Sequence, residues 1–152
     1  MTSQEKKRWL QKYRELNIEI GRSDKRINAK LQQIEQLRSL AERMTSTLTG
    51  MPQGGGYKSR EDIYIKLADL GNETNSQVEE YLGDKRKAKQ MQEDIIQAIS
   101  KIDDPTLRQL LWLRYIDGSV FEQIAVDMGY CIMQIWRLHG KALERLEIKN
   151  ML

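Results

Sequence analysis

The sequence is poor in the residues that carry most catalytic and metal-binding chemistry. Its 152 residues include one cysteine (Cys131), one histidine (His139), two prolines and one phenylalanine. A single cysteine cannot form an internal disulfide, and one cysteine with one histidine provides too few soft ligands for a zinc site. No set of side chains suggests a catalytic constellation. We therefore expect no metal, no cofactor and no enzyme activity.

Long apolar runs are also lacking. The N-terminal MTSQEKKRWL has no apolar signal core, and no stretch is long enough to span a bilayer. The net charge of +3 is a small basic excess, which permits an anionic partner without requiring one. The sequence therefore predicts a cytoplasmic protein with no membrane partner. Any evidence for DNA binding must come from where the charges lie.

Helical periodicity is what the sequence has in abundance. From about Glu5 to Thr47, apolar residues recur at the spacing of a coiled coil. One seam position holds Tyr13, Ile20, Ile27, Ile34, Ala41 and Leu48, and the alternate position holds Trp9, Leu16, Leu37 and Met44. Ser23 and Lys30 interrupt this seam beside Gly21, so we expect the middle of the helix to be its weakest part.

A second helical stretch runs from Arg60 to about Ile102, after a Gly-rich loop at 49–59. Its centre, Gly71–Ser76, has few apolar residues and predicts a kink or a break. Two helices of similar length joined by a flexible loop favour an antiparallel hairpin, with pairing between two chains as the alternative. Residues 1–102 are thus predicted to form a coiled-coil helical arm.

The stretch from Ser119 to Leu146 predicts two helices joined by a tight turn. Ser119 and Glu122 have the spacing of a capping box at the start of the first helix, and Gly129 suits a position of positive φ at its end. Small Ala125 allows a close helix crossing. Larger side chains are expected between the two helices: Ile124, Met128, Tyr130, Ile135 and Leu138. This order of small, large and glycine positions is typical of a DNA-binding helix-turn-helix.

The boundary of this C-terminal unit lies at Asp103-Asp104-Pro105, where Asp104 can cap a helix that starts at Pro105. A helix ending near Ile116 then precedes the helix-turn-helix. The predicted fold is therefore all-α: a long N-terminal helical hairpin or coiled-coil arm (1–102) followed by a helix-turn-helix head (103–152).

A helical wheel separates the second helix of this pair into a buried and an outward face. The buried stripe is centred on Ile135, Leu138, Ala142 and Leu146. The outward face and its flanks carry the candidate DNA-binding residues Met133, Gln134, Trp136, Arg137, Gly140 and Lys141, with Arg145 at its slanting end. Arg137 can donate two hydrogen bonds to a guanine edge, and Lys141 can neutralise a phosphate. His139, beside the buried stripe, is predicted to be a packed or hydrogen-bonded histidine.

The run DPTLRQLLWLRYIDGSVFEQIAVDMGY, followed by RLHGKAL, resembles region four of bacterial sigma factors as it occurs in small phage-encoded proteins of Gram-positive bacteria. The segment RSLAERMTSTLTGMP, followed by GGG, is similar to the same phage transcription regulators, of the ArpU and RinA type. The resemblance implies binding of double-stranded promoter DNA, contact with host RNA polymerase and control of phage genes. Cys131 departs from the family pattern, which has Ser or Thr at this capping position, and Ile132-Met133 is more apolar than a typical base-reading edge.

A second class of function stays open at this stage. A coiled-coil interaction protein, or a phage assembly or packaging protein, could use the helix-turn-helix as a packing unit. Basic residues on the outward face favour DNA, whereas Met133 and Trp136 favour a protein partner. The arm is in either case a candidate surface for homodimerisation.

Overall fold

The computed structural model describes residues 1–46 and 59–149, and over these ranges it contains helices and no strand. The α-helices are α1 (Ser3–Ser46), α2 (Arg60–Ser100), α3 (Pro105–Leu111), α4 (Phe121–Met128) and α5 (Ile132–Arg145), with a π-helical turn at Trp112–Ile116 directly after α3. The predicted all-α fold, with two long helices ahead of shorter ones, is confirmed. The predicted Gly-rich loop at 49–59 lies, apart from Ser59, outside the described residues.

Side-chain caps set the beginning of α1, α2 and α3, and at α2 the Ser59 hydroxyl accepts from the Asp62 amide (3.2 Å). At the start of α1, the Thr2 amide donates to the Glu5 carboxylate (2.7 Å) and the Glu5 amide donates to the Thr2 hydroxyl (3.3 Å), which is a capping box. The bond from the Thr2 amide favours the charged carboxylate, so it lowers the pKa of Glu5. At α3 the Asp104 carboxylate accepts from the Thr106 amide (2.9 Å), and Pro105 holds the first helical position, as predicted.

The capping box predicted for Ser119 and Glu122 is wrong. The N-cap of α4 is Val120, in an extended conformation and without a side-chain hydrogen bond. Ser119 lies one residue too early, and its backbone groups are used elsewhere. Its amide donates to the Leu113 carbonyl (2.9 Å), and its carbonyl accepts from the Arg114 guanidinium (3.1 Å).

Two compact units divide the chain. The head unit comprises Met1–Ile20 and Arg86–Leu152, and the hairpin unit comprises Gly21–Lys85. These units do not coincide with the predicted division between residues 102 and 103. The reason is that the beginning of α1 and the end of α2 pack into the core of the head unit.

The head unit has an extensive apolar core. Leu10 of α1, Ile95 of α2 and Leu111 of α3 are fully enclosed in one cluster with Leu143 of α5. A second cluster lies between α3, α4 and α5 and contains Leu110, Ile124, Ala125 and Ile135. Burying one such Leu or Ile side chain contributes roughly 1.5–3 kcal/mol. Apolar burial is therefore the main force that holds α5 in place.

Lys6 attaches the beginning of α1 to the end of α5. Its Nζ atom donates to the carbonyls of Leu143 (2.7 Å) and Leu146 (2.8 Å). The last carbonyls of a helix have no partner within the helix and lie at the negative end of its dipole. An ammonium group at this position satisfies the carbonyls and complements the dipole.

The hairpin unit joins α1 and α2 in antiparallel orientation. Asp24 pairs with Lys85 (3.4 Å), while Lys30 donates to Gln77 and lies 3.8 Å from the Glu73 carboxylate. Residue numbers rise along α1 as they fall along α2, so the two helices pair within one chain. The predicted hairpin is confirmed. Lys30 stands at a seam position where the heptad pattern expects an apolar residue, and it contacts polar residues of α2 instead.

The apolar core of the hairpin unit is small. Its buried members are Leu37, Ala41 and Ile63. Of the kink or break predicted at Gly71–Ser76, the break is absent, because α2 continues through this segment, and the kink stays a prediction. Within this segment Thr74 is buried, and its hydroxyl has no hydrogen-bond partner among the described residues.

Candidate nucleic-acid interface

The turn between α4 and α5 fixes the start of α5. Gly129 has φ 71° and ψ 29°, the left-handed conformation predicted from its position, and its amide donates to the carbonyls of Ala125 and Val126. The Tyr130 amide also donates to the Ala125 carbonyl (3.0 Å). These bonds satisfy the last carbonyls of α4, as expected for a glycine-ended helix. The helices are therefore joined by a short turn with a defined backbone.

Two residues of this turn differ from expectation in their side chains. Tyr130 was predicted to lie between the helices but is 38% exposed, since the turn directs its side chain away from the cluster of Ile124 and Ile135. Cys131 is the N-cap of α5, as predicted, but it is exposed and its thiol makes no capping hydrogen bond. The start of α5 is thus held by packing and by the turn, without a side-chain cap.

The outward side of α5 carries every candidate DNA-binding residue. All of them are exposed: Met133, Gln134, Trp136, Arg137, Gly140, Lys141 and Arg145. Arg137 and Lys141 lie four residues apart, and the ion pairs found among the described residues involve other side chains. No carboxylate occurs between Ile132 and Leu143. This surface is therefore positively charged and open to an external partner.

Large apolar side chains share this surface. Met133 is 59% exposed and Trp136 is 56% exposed. Single exposed apolar side chains are normal on protein surfaces, but two on one side of a helix beside basic residues make a candidate contact surface. The outward side of α5 thus combines charge with apolar area.

The buried side of α5 contains His139. Its Nε2 atom lies 2.8 Å from the Tyr115 hydroxyl, and the Phe121 ring meets the imidazole edge-on at 5.1 Å between centroids. Burial lowers the pKa of His139 to about 4, with further lowering by the charges of Lys7 and Arg114. Burial also raises the pKa of Tyr115 to about 12. Both groups are neutral at pH 7, and the prediction of a packed, hydrogen-bonded histidine is confirmed.

A groove of about 360 Å³ lies beside α5 within the head unit. Helix α1 contributes Ser3, Lys7 and Gln11, which recur every fourth residue, and the other lining residues are Arg114, Tyr115, Phe121, Trp136, His139, Gly140 and Leu143. Sequence reasoning missed this groove because it requires knowing that α1 packs beside α5. The one available signal was Leu10, an apolar residue outside the coiled-coil seam.

Other kinds of site find no support in the part of the chain that the structure describes. Within residues 1–46 and 59–149, no group of three or more His, Cys, Asp or Glu side chains is placed to hold a metal ion. In the same ranges, no helix combines the length and the apolar character needed to cross a membrane.

The protein is all-α, and α4 and α5 form a helix-turn-helix. A short turn with Gly129 in the left-handed conformation joins the two helices, and the basic side of α5 is exposed. A family model matches residues 44–147, and the chain belongs to this family, described as "Protein of unknown function (DUF1492)". The match extends from the end of α1 to just beyond α5. No curated protein and no solved structure matches the sequence.

Proposed function

We propose that this protein is a phage or prophage DNA-binding transcription regulator of the sigma region four-like type, and that it reads promoter DNA with α5. The observation that carries the proposal is the outward side of α5. Arg137 and Lys141 are exposed there one turn apart, on a helix segment without a carboxylate. A helix that follows a tight turn and presents such residues has the arrangement that enters a major groove in helix-turn-helix proteins.

Each residue of this surface has a chemistry suited to the proposed complex. Arg137 donates two hydrogen bonds to the O6 and N7 atoms of a guanine, and Gln134 can pair in the same way with an adenine. Met133 supplies apolar contact for a thymine methyl group. Lys141, and Arg145 at the end of the helix, neutralise backbone phosphates, which orient the protein on the duplex.

The packing of α5 supports this role because base reading requires a fixed helix. The side opposite Arg137 is anchored in the apolar core by Ile135 and Leu143, and the end of the helix is bound by Lys6. A reading helix held in this way loses little conformational freedom on binding, so more of its interaction energy contributes to affinity.

The proposal includes two further partners in the bacterial cytoplasm. Likeness to sigma region four suggests host RNA polymerase, and the long helices α1 and α2 offer a surface for a second copy of the chain. We propose no enzyme activity, since the one hydroxyl shown beside a base in the groove is that of Tyr115, and burial raises its pKa to about 12.

The test replaces Arg137 or Lys141 with alanine, with Lys25→Ala as a control that removes an exposed charge from α1 in the hairpin unit. Binding is measured by fluorescence anisotropy on DNA from around the gene and on scrambled DNA, at several salt concentrations. Arg137→Ala should lose roughly 1–3 kcal/mol on the preferred site and relax base discrimination. Lys141→Ala should weaken binding to all sequences and reduce the salt slope by about one unit.

Circular dichroism should show that both variants keep the helical fold of the parent. A double variant that binds DNA as tightly as the parent at every salt concentration would contradict the proposal. The same holds if the parent itself shows no salt-dependent DNA binding.

The second candidate function is a coiled-coil interaction or phage assembly protein, and the exposure of Met133 and Trp136 favours it. In that case the helix-turn-helix is a packing unit and α5 contacts protein. The DNA titrations separate the two functions, because an assembly protein needs neither Arg137 nor Lys141 for base discrimination.

A further inference from the structure

The groove beside α5 is continuous with the proposed reading surface. Trp136 and Gly140 belong to both, since each lines the groove and lies on the outward side of the helix. The opposite wall comes from α1, through Ser3, Lys7 and Gln11. A duplex that rests on α5 therefore has the first turns of α1 as its neighbour.

The charge of this groove is unbalanced. None of its lining residues is acidic, while Lys7 and Arg114 are basic. Arg114 is held in place, with its guanidinium 4.2 Å from the centre of the Phe121 ring and bonded to the Ser119 carbonyl at 3.1 Å. Lys7 is exposed, and among the described residues none of the ion pairs includes it.

His139, which lines the groove, lies in the positive potential of the two basic residues. The charges of Lys7 and Arg114 both act on His139, where they add to burial in lowering the pKa of the imidazole. At Gly140, a Cβ atom would meet no side chain or neighbouring element within 4 Å beyond its adjacent residues, so space for an incoming backbone is open on this side of the helix.

We propose that this groove binds a backbone phosphate of the duplex that α5 reads, with Lys7 of α1 as the residue that contacts the phosphate. The inference rests on the proposed function and extends it, because α1 becomes part of the DNA interface. Lysine suits this role as a compact charge on a flexible stem, and a phosphate contact positions the duplex without reading its sequence.

An acidic segment of a protein is the competing occupant, since a carboxylate would also complement Lys7. The duplex is favoured because the groove opens onto the same side of α5 as Arg137 and Lys141. A phosphate at Lys7 would thus belong to the same bound molecule, and its contribution would add to theirs.

The experiment compares Lys7→Ala with Lys12→Ala in the full chain. Lys12 is also an exposed residue of α1 in the head unit, but it does not line the groove. Anisotropy titrations over a range of salt concentrations should show that Lys7→Ala reduces the salt slope by about one unit, equally on preferred and scrambled DNA. Lys12→Ala should leave the slope within error of the parent. Gln11→Glu, which adds a carboxylate to the groove, should weaken binding to both DNAs.

Methylphosphonate substitution identifies the contact itself. In a series of duplexes, one phosphate at a time is made neutral. At one position this change should weaken DNA binding by the parent and leave DNA binding by the Lys7→Ala variant unchanged. The inference is overturned if no such position exists, if Lys7→Ala and Lys12→Ala behave alike, or if Lys7→Ala impairs binding of an acidic peptide and leaves DNA binding intact. If the parent binds no DNA, the proposed function fails first. If Arg137→Ala weakens binding and Lys7→Ala does not, the further inference alone fails.

Discussion

The two compact units of this chain are stabilised by different interactions. The head unit has fully enclosed side chains from all five α-helices, whereas the described part of the hairpin unit has three buried apolar residues, Leu37, Ala41 and Ile63. Partly buried Leu40, Leu67 and Leu70 pack against this cluster, and Lys30 and Lys85 add polar contacts between α1 and α2. Solvent-exposed ion pairs of this kind contribute about 0–1 kcal/mol each.

This difference shows that one continuous helix can serve two purposes. Residues of α1 up to Ile20 take part in an extensive apolar core, and those from Gly21 onward pair with α2 through a small apolar cluster and polar side chains. Because burial contributes more than surface pairing, we expect most of the free energy of unfolding to come from the head unit.

The largest expected effect is that of Leu10→Ala, which should destabilise the head unit by about 2–5 kcal/mol because it leaves a cavity in an enclosed core. Leu37→Ala should cost less, since Leu37 belongs to the smaller cluster. Leu31 is 49% exposed, and as a control Leu31→Ala should change stability by less than about 0.5 kcal/mol. Urea unfolding is followed by circular dichroism, which reports on the helices of both units, and by tryptophan fluorescence, which reports on the head unit because all three tryptophans lie in it. Equal costs for Leu10→Ala and Leu37→Ala would refute the comparison.

A second expected effect is a loss of stability of the head unit in acid. Burial holds the pKa of His139 at about 4 in the folded protein, against 6.5 for the free group. The unfolded chain therefore takes up a proton first, so the free energy of unfolding should fall as pH drops from 6.5 toward 4, by on the order of 3 kcal/mol at most. Urea unfolding at several pH values checks this. His139→Gln should flatten the dependence, and parallel curves for parent and variant would contradict it.

The smallest expected effect concerns the hairpin unit. Thr74→Val should stabilise it by about 1–2 kcal/mol, because the substitution removes a buried hydroxyl without a hydrogen-bond partner and keeps the shape of the side chain. Thr74→Ser keeps the hydroxyl and loses a methyl group, so it should destabilise. Thermal unfolding followed by circular dichroism distinguishes these outcomes. A destabilised Thr74→Val variant would show that the hydroxyl has a partner in solution.

Local signals in the sequence were sufficient for much of the fold. Heptad spacing predicted α1, helical periodicity predicted α2, Asp104-Pro105 predicted the start of α3, and Gly129 predicted the left-handed end of α4. Two local predictions were wrong for physical reasons. Val120 takes the N-cap because Ser119 is engaged by Leu113 and Arg114, and the segment Gly71–Ser76 stays helical because backbone hydrogen bonds do not require apolar side chains.

Long-range packing was outside the reach of sequence reasoning. The exposed residues of α5 could be identified from its periodicity, since the buried stripe determines which side faces outward. Lys7 could not, because nothing in the spacing of α1 indicates that its first turns lie beside α5. The partner of His139 was missed for the same reason, since Tyr115 lies 24 positions away along the chain.

The bond between Lys6 and the end of α5 constrains how the protein is made. Lys6 is separated from Leu143 by 137 positions and from Leu146 by 140. On the ribosome the first turns of α1 emerge long before their partners, so the apolar pair Trp9-Leu10 stays incompletely covered until α5 has been synthesised. Contacts between residues so far apart in sequence slow folding, because closing the long chain segment between them costs conformational entropy before the contacts form. The head unit therefore completes its assembly only after α5 has been translated. Until then, Trp9 and Leu10 of the nascent chain can associate with apolar surfaces of other proteins.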